Sequence, residues 1–239
     1  MPRAVAINVG ANTTLPGFRG PIRPDRRFAY VPIPEREPTA DPVPTYGDLA
    51  FPLDVDVSAV ADRRVHLDPE FAGLYGSTAY TYGDEHGVKA GPLSALEPGD
   101  SLLFYATLSL RGDPDAAPDL PPEWGAYLIG EFRVARAVTG ETYRTLDPAE
   151  RERFASNAHC KRADFDAKVL VAGGEGSRLF DRAVPLSASE GGATAGPLVT
   201  DLSADSGKGP WWRRVLRYDA DATERLRAAV DDAQPYRSV

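Results

Sequence analysis

Apolar positions along this chain fall into short runs and period-two alternations, broken at close intervals by Gly, Pro and Asp. Leu102, Leu103, Phe104 and Tyr105 form an apolar, aromatic run too short for a helix and suited to a sheet interior. Pro98-Gly99-Asp100 comes just before it and has turn chemistry: Pro pre-sets φ, Gly tolerates positive φ, and Asp can bond its own backbone. Beyond a loop rich in Pro and Asp, residues 126–138 alternate. Tyr127, Ile129, Glu131, Arg133, Ala135 and Ala137 share one face, and Leu128, Gly130, Phe132, Val134 and Arg136 share the other. The two runs are expected to be adjacent strands at the heart of a small β-barrel.

The same patterning predicts the remaining elements. Ala4–Val9 and Lys168–Ala172 read as strands, and Arg27–Ile33 as an edge strand, because Pro32 cannot donate to a ladder. Asp147 with Pro148 caps a helix running to about Ser156. Gly173 to Arg178 is a Gly-rich turn leading to a short helix over 177–182; it lacks the Lys-Ser/Thr ending and spacing of a phosphate loop. Leu226 and Val230, four apart among charges, mark an amphipathic helix over 222–233. Residues 34–52 form an extended connection with Tyr46, Leu49 and Phe51 to bury, 55–67 suit either a short helix or irregular structure, and 191–209 read as a surface loop. No internal repeat or domain boundary shows. The expectation is an α+β fold, one domain over 1–239, built on a mixed barrel or strongly bent sheet with peripheral short helices and long loops.

Composition narrows the picture only a little. No apolar run approaches the roughly 20 residues of a membrane span, and the first residues lead straight into strand-like sequence, so a cytoplasmic protein with no membrane partner is expected. Cys160 is the single cysteine, which excludes an internal disulfide and a cysteine-based zinc cluster. A net charge of −8 argues against simple electrostatic gripping of nucleic acid. Yet the only lysines are Lys89, Lys161, Lys168 and Lys208, Asp outnumbers Glu, and Ala and Val dominate the aliphatic positions. That bias suits a GC-rich or salt-loving source, where an acidic surface keeps protein hydrated and says little about partners.

Candidate chemistry gathers in four places. Asn12, Thr13, Thr14 and Arg19 lie in a Gly-bearing loop after the first strand, where they either cap the backbone or wall a polar pocket. Residues 66–84 concentrate His66, Asp68, Tyr75, Tyr80, Thr81, Tyr82 and Asp84 between glycines, suited to stacking a planar ligand and bonding its edge. Asn157 and His159 follow the helix begun at Asp147, where a histidine can equally cap the helix end. Trp211-Trp212 beside Arg213 and Arg214 either anchors the last helix or stacks a base. His66, Asp68, Asp84 and His159 are of ligand type but lack zinc spacing, so no metal is expected; no cofactor motif is present either.

The GD turn with its LLFYATL strand, followed by YLIGEFRV, resembles the corresponding part of PUA-like barrels, including the EVE and ASCH groups. The wider pattern, with INVGANTT, GPI, FAYVPIPE, HLDPEF, YTYGD and NAH ahead of a strand and a Ser-bearing turn, is similar to the nucleotide-modification-associated domain, third family. The likeness covers nearly the whole chain. It implies a PUA-like core and a nucleic-acid or nucleotide partner, DNA favoured over RNA, in a system that modifies bases. Its pocket candidates are Asn12, Asp68, Tyr80, Tyr82, Asp84, Tyr105, Asn157, His159 and Ser177. As a reader, the protein would stack an extruded base on Tyr80, Tyr82 or Trp212 and bond its edge through Asn12, Asn157 or Asp84. As an enzyme, it would use His159 as acid or base, with Asp68 or Asp84 as partner. The third class is a structural or protein-interaction module, with the tyrosines simply core.

Overall fold

The computed structural model describes residues 3–235. The chain begins with strand β1 (Ala4–Asn8), β2 (Gly20–Ile22) and the short β3 (Ile33–Pro34) and β4 (Val65–His66). Strand β5 (Thr81–Asp84) and helix α1 (Gly87–Ser94) precede the long central strands β6 (Ser101–Leu110) and β7 (Trp124–Thr139). Helices α2 (Gly140–Thr145) and α3 (Pro148–Glu152), strands β8 (Val169–Gly173) and β9 (Arg178–Pro185), helix α4 (Pro197–Thr200), strand β10 (Leu216–Tyr218) and helix α5 (Ala220–Ala233) complete it.

β6 and β7 are antiparallel neighbours: Leu102 faces Phe132 and Tyr105 faces Leu128. The turn before β6 forms as its residues dictate. Gly99 takes φ +93°, and the Asp100 carboxylate accepts the Glu97 and Arg3 backbone N–H groups, each at 3.0 Å. On its other edge β6 carries β1 and β2, both parallel to it, and β1 in turn pairs with β10. The chain from β8 through β9 runs back antiparallel along β7, and β5 pairs with β8. β3 and β4 form a separate two-stranded ladder that pairs Ile33 with His66.

The result is an α+β fold around a large mixed sheet, and the sheet does not close into a barrel. Its path ends at β10 on one side and β5 on the other, and those two strands do not pair. The expected alternation along β7 is interrupted by register shifts at Leu128/Gly130 and Val134/Arg136. Both of its faces are buried from Gly125 to Phe132, so alternation there does not separate core from solvent.

Several local expectations are corrected. Residues 178–185 are strand rather than helix: pairing with β7 overrides the local pattern and places Phe180, Ala183 and Val184 in the core. The 27–33 strand is reduced to an isolated bridge at Phe28 and the start of β3. The helix capped by Asp147 ends at Glu152 and gives way to turns. Asp219 caps the last helix, which buries Leu226 and Val230 as the pattern required. Helix α1, spanning a segment with two glycines and Pro92, has no sequence signal. Trp211 is fully buried against the core with its indole N–H donating to the Ala193 carbonyl, so that part of the 191–209 loop is tied down.

An aromatic cluster supports the strand that carries the site. Phe71 meets Phe104 and Phe132 edge to face at 5.5 Å, Phe104 meets Phe132 at 4.6 Å, and the Tyr82 ring lies 5.6 Å from Phe104. β5 is thereby fixed on one side by the core and left free on the other to meet the chain that returns after α3.

Candidate functional site

Three stretches far apart in sequence meet beside β5. The end of β4 supplies His66 and, two residues on, Asp68; the turn after α3 supplies Asn157 and His159, followed by Arg162 and Asp166; the chain after β3 supplies Glu35. Asn157 is the joint. Its Nδ2 donates to Asp68 Oδ1 (2.9 Å) and Thr81 Oγ1 (3.2 Å), while its Oδ1 accepts the His159 backbone N–H (3.0 Å). The backbone N–H of Gly83 donates to both Asp68 oxygens, at 2.9 and 3.2 Å. Gly83 must be glycine here, because a Cβ would stand 2.5 Å from His159 Cδ2.

The two imidazoles are held alike. His66 Nδ1 donates to Glu35 Oε2 at 2.6 Å, and His159 Nδ1 donates to Asp166 Oδ1 at 2.8 Å, so each ring turns its Nε2 inward. Those Nε2 atoms lie 3.9 and 3.7 Å from Asp68 Oδ2, and the rings meet edge to face at 4.8 Å. His66, Asp68 and His159 are only 4%, 6% and 3% exposed. Arg162, also buried, ties the outer carboxylates together. Its Nη2 donates to Glu35 Oε1 (3.1 Å), and its Nη1 bonds Glu85 and Asp166.

Electrostatics follow from this arrangement. Burial pushes the Asp68 carboxyl up to about 6, against the pull of both histidines and the donors from Gly83 and Asn157. Burial would lower His159, but the Asp166 hydrogen bond and the Asp68 charge outweigh it and raise its pKa above the ordinary histidine value. Burial would raise Glu35, yet the His66 and Arg162 hydrogen bonds bring it down to about 2. Four carboxylates against one guanidinium leave the cluster net negative.

Asn8, Gly10, Asn12, His66, Asp68, Tyr82, Asp84, Lys89 and His159 line a common cavity of about 210 Å3. Asn12, Asp68, Tyr82, Asp84 and His159, singled out in the sequence, are therefore brought together. Tyr82 meets the cavity with its hydroxyl rather than an open ring face: the ring is buried on Phe104, the hydroxyl donates to Asp84 Oδ2 (3.0 Å), and Lys89 Nζ donates to the hydroxyl oxygen (3.1 Å). Asn12 spends its Oδ1 on the N–H groups of Thr14 and Leu15, which shape its loop. Asn157 stands behind the cavity as described.

The other candidates lie elsewhere. Tyr105 is fully buried and donates its hydroxyl to the Arg214 carbonyl (2.6 Å). Tyr80 packs on Phe132, and Ser177 Oγ accepts the Arg133 N–H at the β8–β9 turn. Thr13 and Trp212 line an adjoining cavity of about 270 Å3 that shares Asn8, Asn12 and Leu15 with the first and adds Arg19 and Arg213. There the Arg19 guanidinium lies over the Trp124 ring at 4.3 Å, and Trp212 meets Trp124 edge to face.

Glu35, Gly83, Arg162 and Asp166 escaped the sequence reading. Glu35 sits in a Pro-rich connection, and the Arg162/Asp166 spacing of four is a helical signal in a stretch that forms no helix. Among the described residues, no helix is long and apolar enough to cross a membrane.

Compared with known proteins, the chain matches no curated protein and no solved structure. A family model does match: nucleotide modification associated domain 3, over residues 3–230. That span takes in every residue of the cluster and both cavities, so the chain belongs to the nucleotide modification associated domain 3 family.

Proposed function

We propose that the protein acts on a base or nucleotide, modified or destined for modification, with the edge of the base in the cavity beside β5 and the His66–Asp68–His159 cluster as its reacting end. One observation carries this reading: five polar groups from remote parts of the chain, Asn12, Asp68, Tyr82, Asp84 and His159, converge on a single cavity. At about 210 Å3 it is smaller than the roughly 300–1,000 Å3 of pockets that bury a drug-sized ligand, so it suits a base edge or sugar fragment rather than a whole nucleotide. The adjoining cavity, with Arg19, Arg213 and Trp212, suits the phosphate and flanking part of the same ligand. The ligand is thus nucleic acid or a free nucleotide, met by the Arg19 and Arg213 charges at this mouth.

Action fits better than recognition alone. A reader needs an open aromatic face to offset the few kcal/mol of extruding a base, and the rings that line this cavity do not offer one. Buried, mutually oriented His and Asp side chains are instead what proton transfer or polarisation needs.

The test incubates purified protein with single-stranded and duplex oligonucleotides, bearing ordinary or modified bases, and with free nucleotides, followed by mass analysis of the digested nucleosides. A mass change that disappears in Asp68→Asn supports the reading. Binding without any mass change would make the protein a reader, and neither binding nor change across the set would leave it an interaction module.

A further inference from the structure

The geometry points to a divalent first-row transition-metal site formed by His66 Nε2, Asp68 Oδ2 and His159 Nε2. The donor atoms of these three residues all lie within 4.8 Å of one another. With metal bonds of about 2.1 Å, tetrahedral donors stand about 3.4 Å apart. The observed 3.7 and 3.9 Å from Asp68 to the two histidines need only a few tenths of an ångström of contraction.

The proton pattern supplies the second argument. Each imidazole gives its Nδ1 proton to an outer carboxylate, Glu35 or Asp166, and Arg162 bonds both of those carboxylates. A neutral ring so bonded turns a lone pair on Nε2 toward Asp68. Three ligand-type atoms then face one another inside the protein, with the two Nε2 atoms 3.9 and 3.7 Å from Asp68 Oδ2, too far for a good hydrogen bond. A divalent cation between them takes the place of any Nε2 proton and offsets the net negative charge of the cluster. Carboxylates on the far nitrogens of ligating histidines are the usual means of fixing tautomer and ring orientation in metal sites.

A rival set, Glu85, His159 and Asp166, is also within reach of a common ion. Its two carboxylates already bond Arg162, and it would use the His159 nitrogen committed to Asp166. The inner set has neither defect. Two imidazoles and one carboxylate favour Zn2+, Fe2+, Co2+ or Mn2+ over Mg2+ and Ca2+, which prefer all-oxygen sites. All three ligands also line the cavity, so the remaining coordination positions open into it. The inference rests on the cluster alone and holds whatever ligand the cavity takes. With an ion bound, His159 is a ligand rather than a proton carrier.

The experiment titrates chelator-stripped protein with Co2+, read by visible absorption, and with Zn2+, read by calorimetry and thermal shift. One ion per chain at micromolar affinity or tighter, a higher melting temperature with Zn2+, and little response to Mg2+ are expected. His66→Ala and the isosteric Asp68→Asn should each abolish the Co2+ spectrum while circular dichroism shows the fold retained. Glu35→Gln, which touches no ligand atom but weakens the outer bonds to His66 and Arg162, should weaken affinity about 10- to 100-fold. Absence of stoichiometric binding by the wild-type protein overturns the inference. So does binding that survives His66→Ala but is lost in Glu85→Gln, because the ion then sits on the outer set.

Discussion

Gly83→Ala tests the placement of the site most directly, because it adds one methyl group and removes nothing. The new Cβ would lie 2.5 Å from His159 Cδ2, 3.0 Å from Asn157 Oδ1 and 3.1 Å from Leu170 Cδ2, where ordinary carbon contacts are about 3.5–4.0 Å. His159 has little room to withdraw. Its backbone N–H is held by Asn157, its Nδ1 by Asp166, and its ring stands edge to face with His66. Leu170 is fully buried, and Asn157 is committed to Asp68 and Thr81. Overpacking of this kind costs about 1–3 kcal/mol. For a chain of this size each kcal/mol moves the melting temperature by roughly 2–4 °C, so a fall of about 2–12 °C is expected. Melting followed by circular dichroism measures it, and Co2+ titration of the same variant should show weakened binding as His159 is displaced. Gly191→Ala in the loop after β9, where nothing beyond the adjoining residues lies within 4 Å of the added methyl, is the control and should be neutral or stabilising by up to about 1 kcal/mol. A Gly83→Ala protein that melts and binds like wild type would refute the seating of His159 against β5.

Two further changes test the surroundings. Arg162→Ala removes the guanidinium that bonds Glu35, Glu85 and Asp166, leaving buried charge uncompensated; urea unfolding should show a loss of about 3–5 kcal/mol, and a loss below about 1 kcal/mol would mean the network is not formed. Arg162→Lys should recover less than half of it, because a point charge cannot reproduce the fork that meets Glu35 through both Nε and Nη2. At the turn before β6, burial opposes ionisation of Asp100, but the bonds from the Arg3 and Glu97 backbone and from the Arg3 side chain hold its pKa below the usual value. Its stabilising effect is therefore fully present above the unfolded value of about 3.9 and is lost as pH falls through the lower folded value. Asp100→Asn should cost roughly 1–2 kcal/mol at pH 7, with the gap to wild type closing in acid; a gap constant down to acid pH would contradict the charge-based account.

The local pattern determined what short range can determine. The Pro98-Gly99-Asp100 turn, the pairing of Leu102–Tyr105 with Leu128–Val134, the cap at Asp147 and the buried stripe of Leu226 and Val230 all follow from local patterns in the sequence. Even the list of polar residues in 66–84 and 157–159 was legible, because His, Asp and Asn between glycines stand out from apolar runs. The motifs resembling the family were legible for the same reason, and the family match over 3–230 bears them out. Tertiary structure decided the rest. Residues 178–185 became strand because β7 offered an unpaired edge, and the sheet stayed open because β1 and β2 took the far edge of β6 without β10 ever meeting β5. Whether a tyrosine is core or cavity was decided the same way: Tyr105 and Tyr82 look alike in sequence, yet one hydroxyl ends on the Arg214 carbonyl and the other beside Asp84. Above all, no spacing along the chain connects Glu35, His66, Asp68 and His159. Their proximity comes from the β3–β4 ladder and from Asn157 tying the turn after α3 to β5, and both are long-range contacts to which a local pattern is blind.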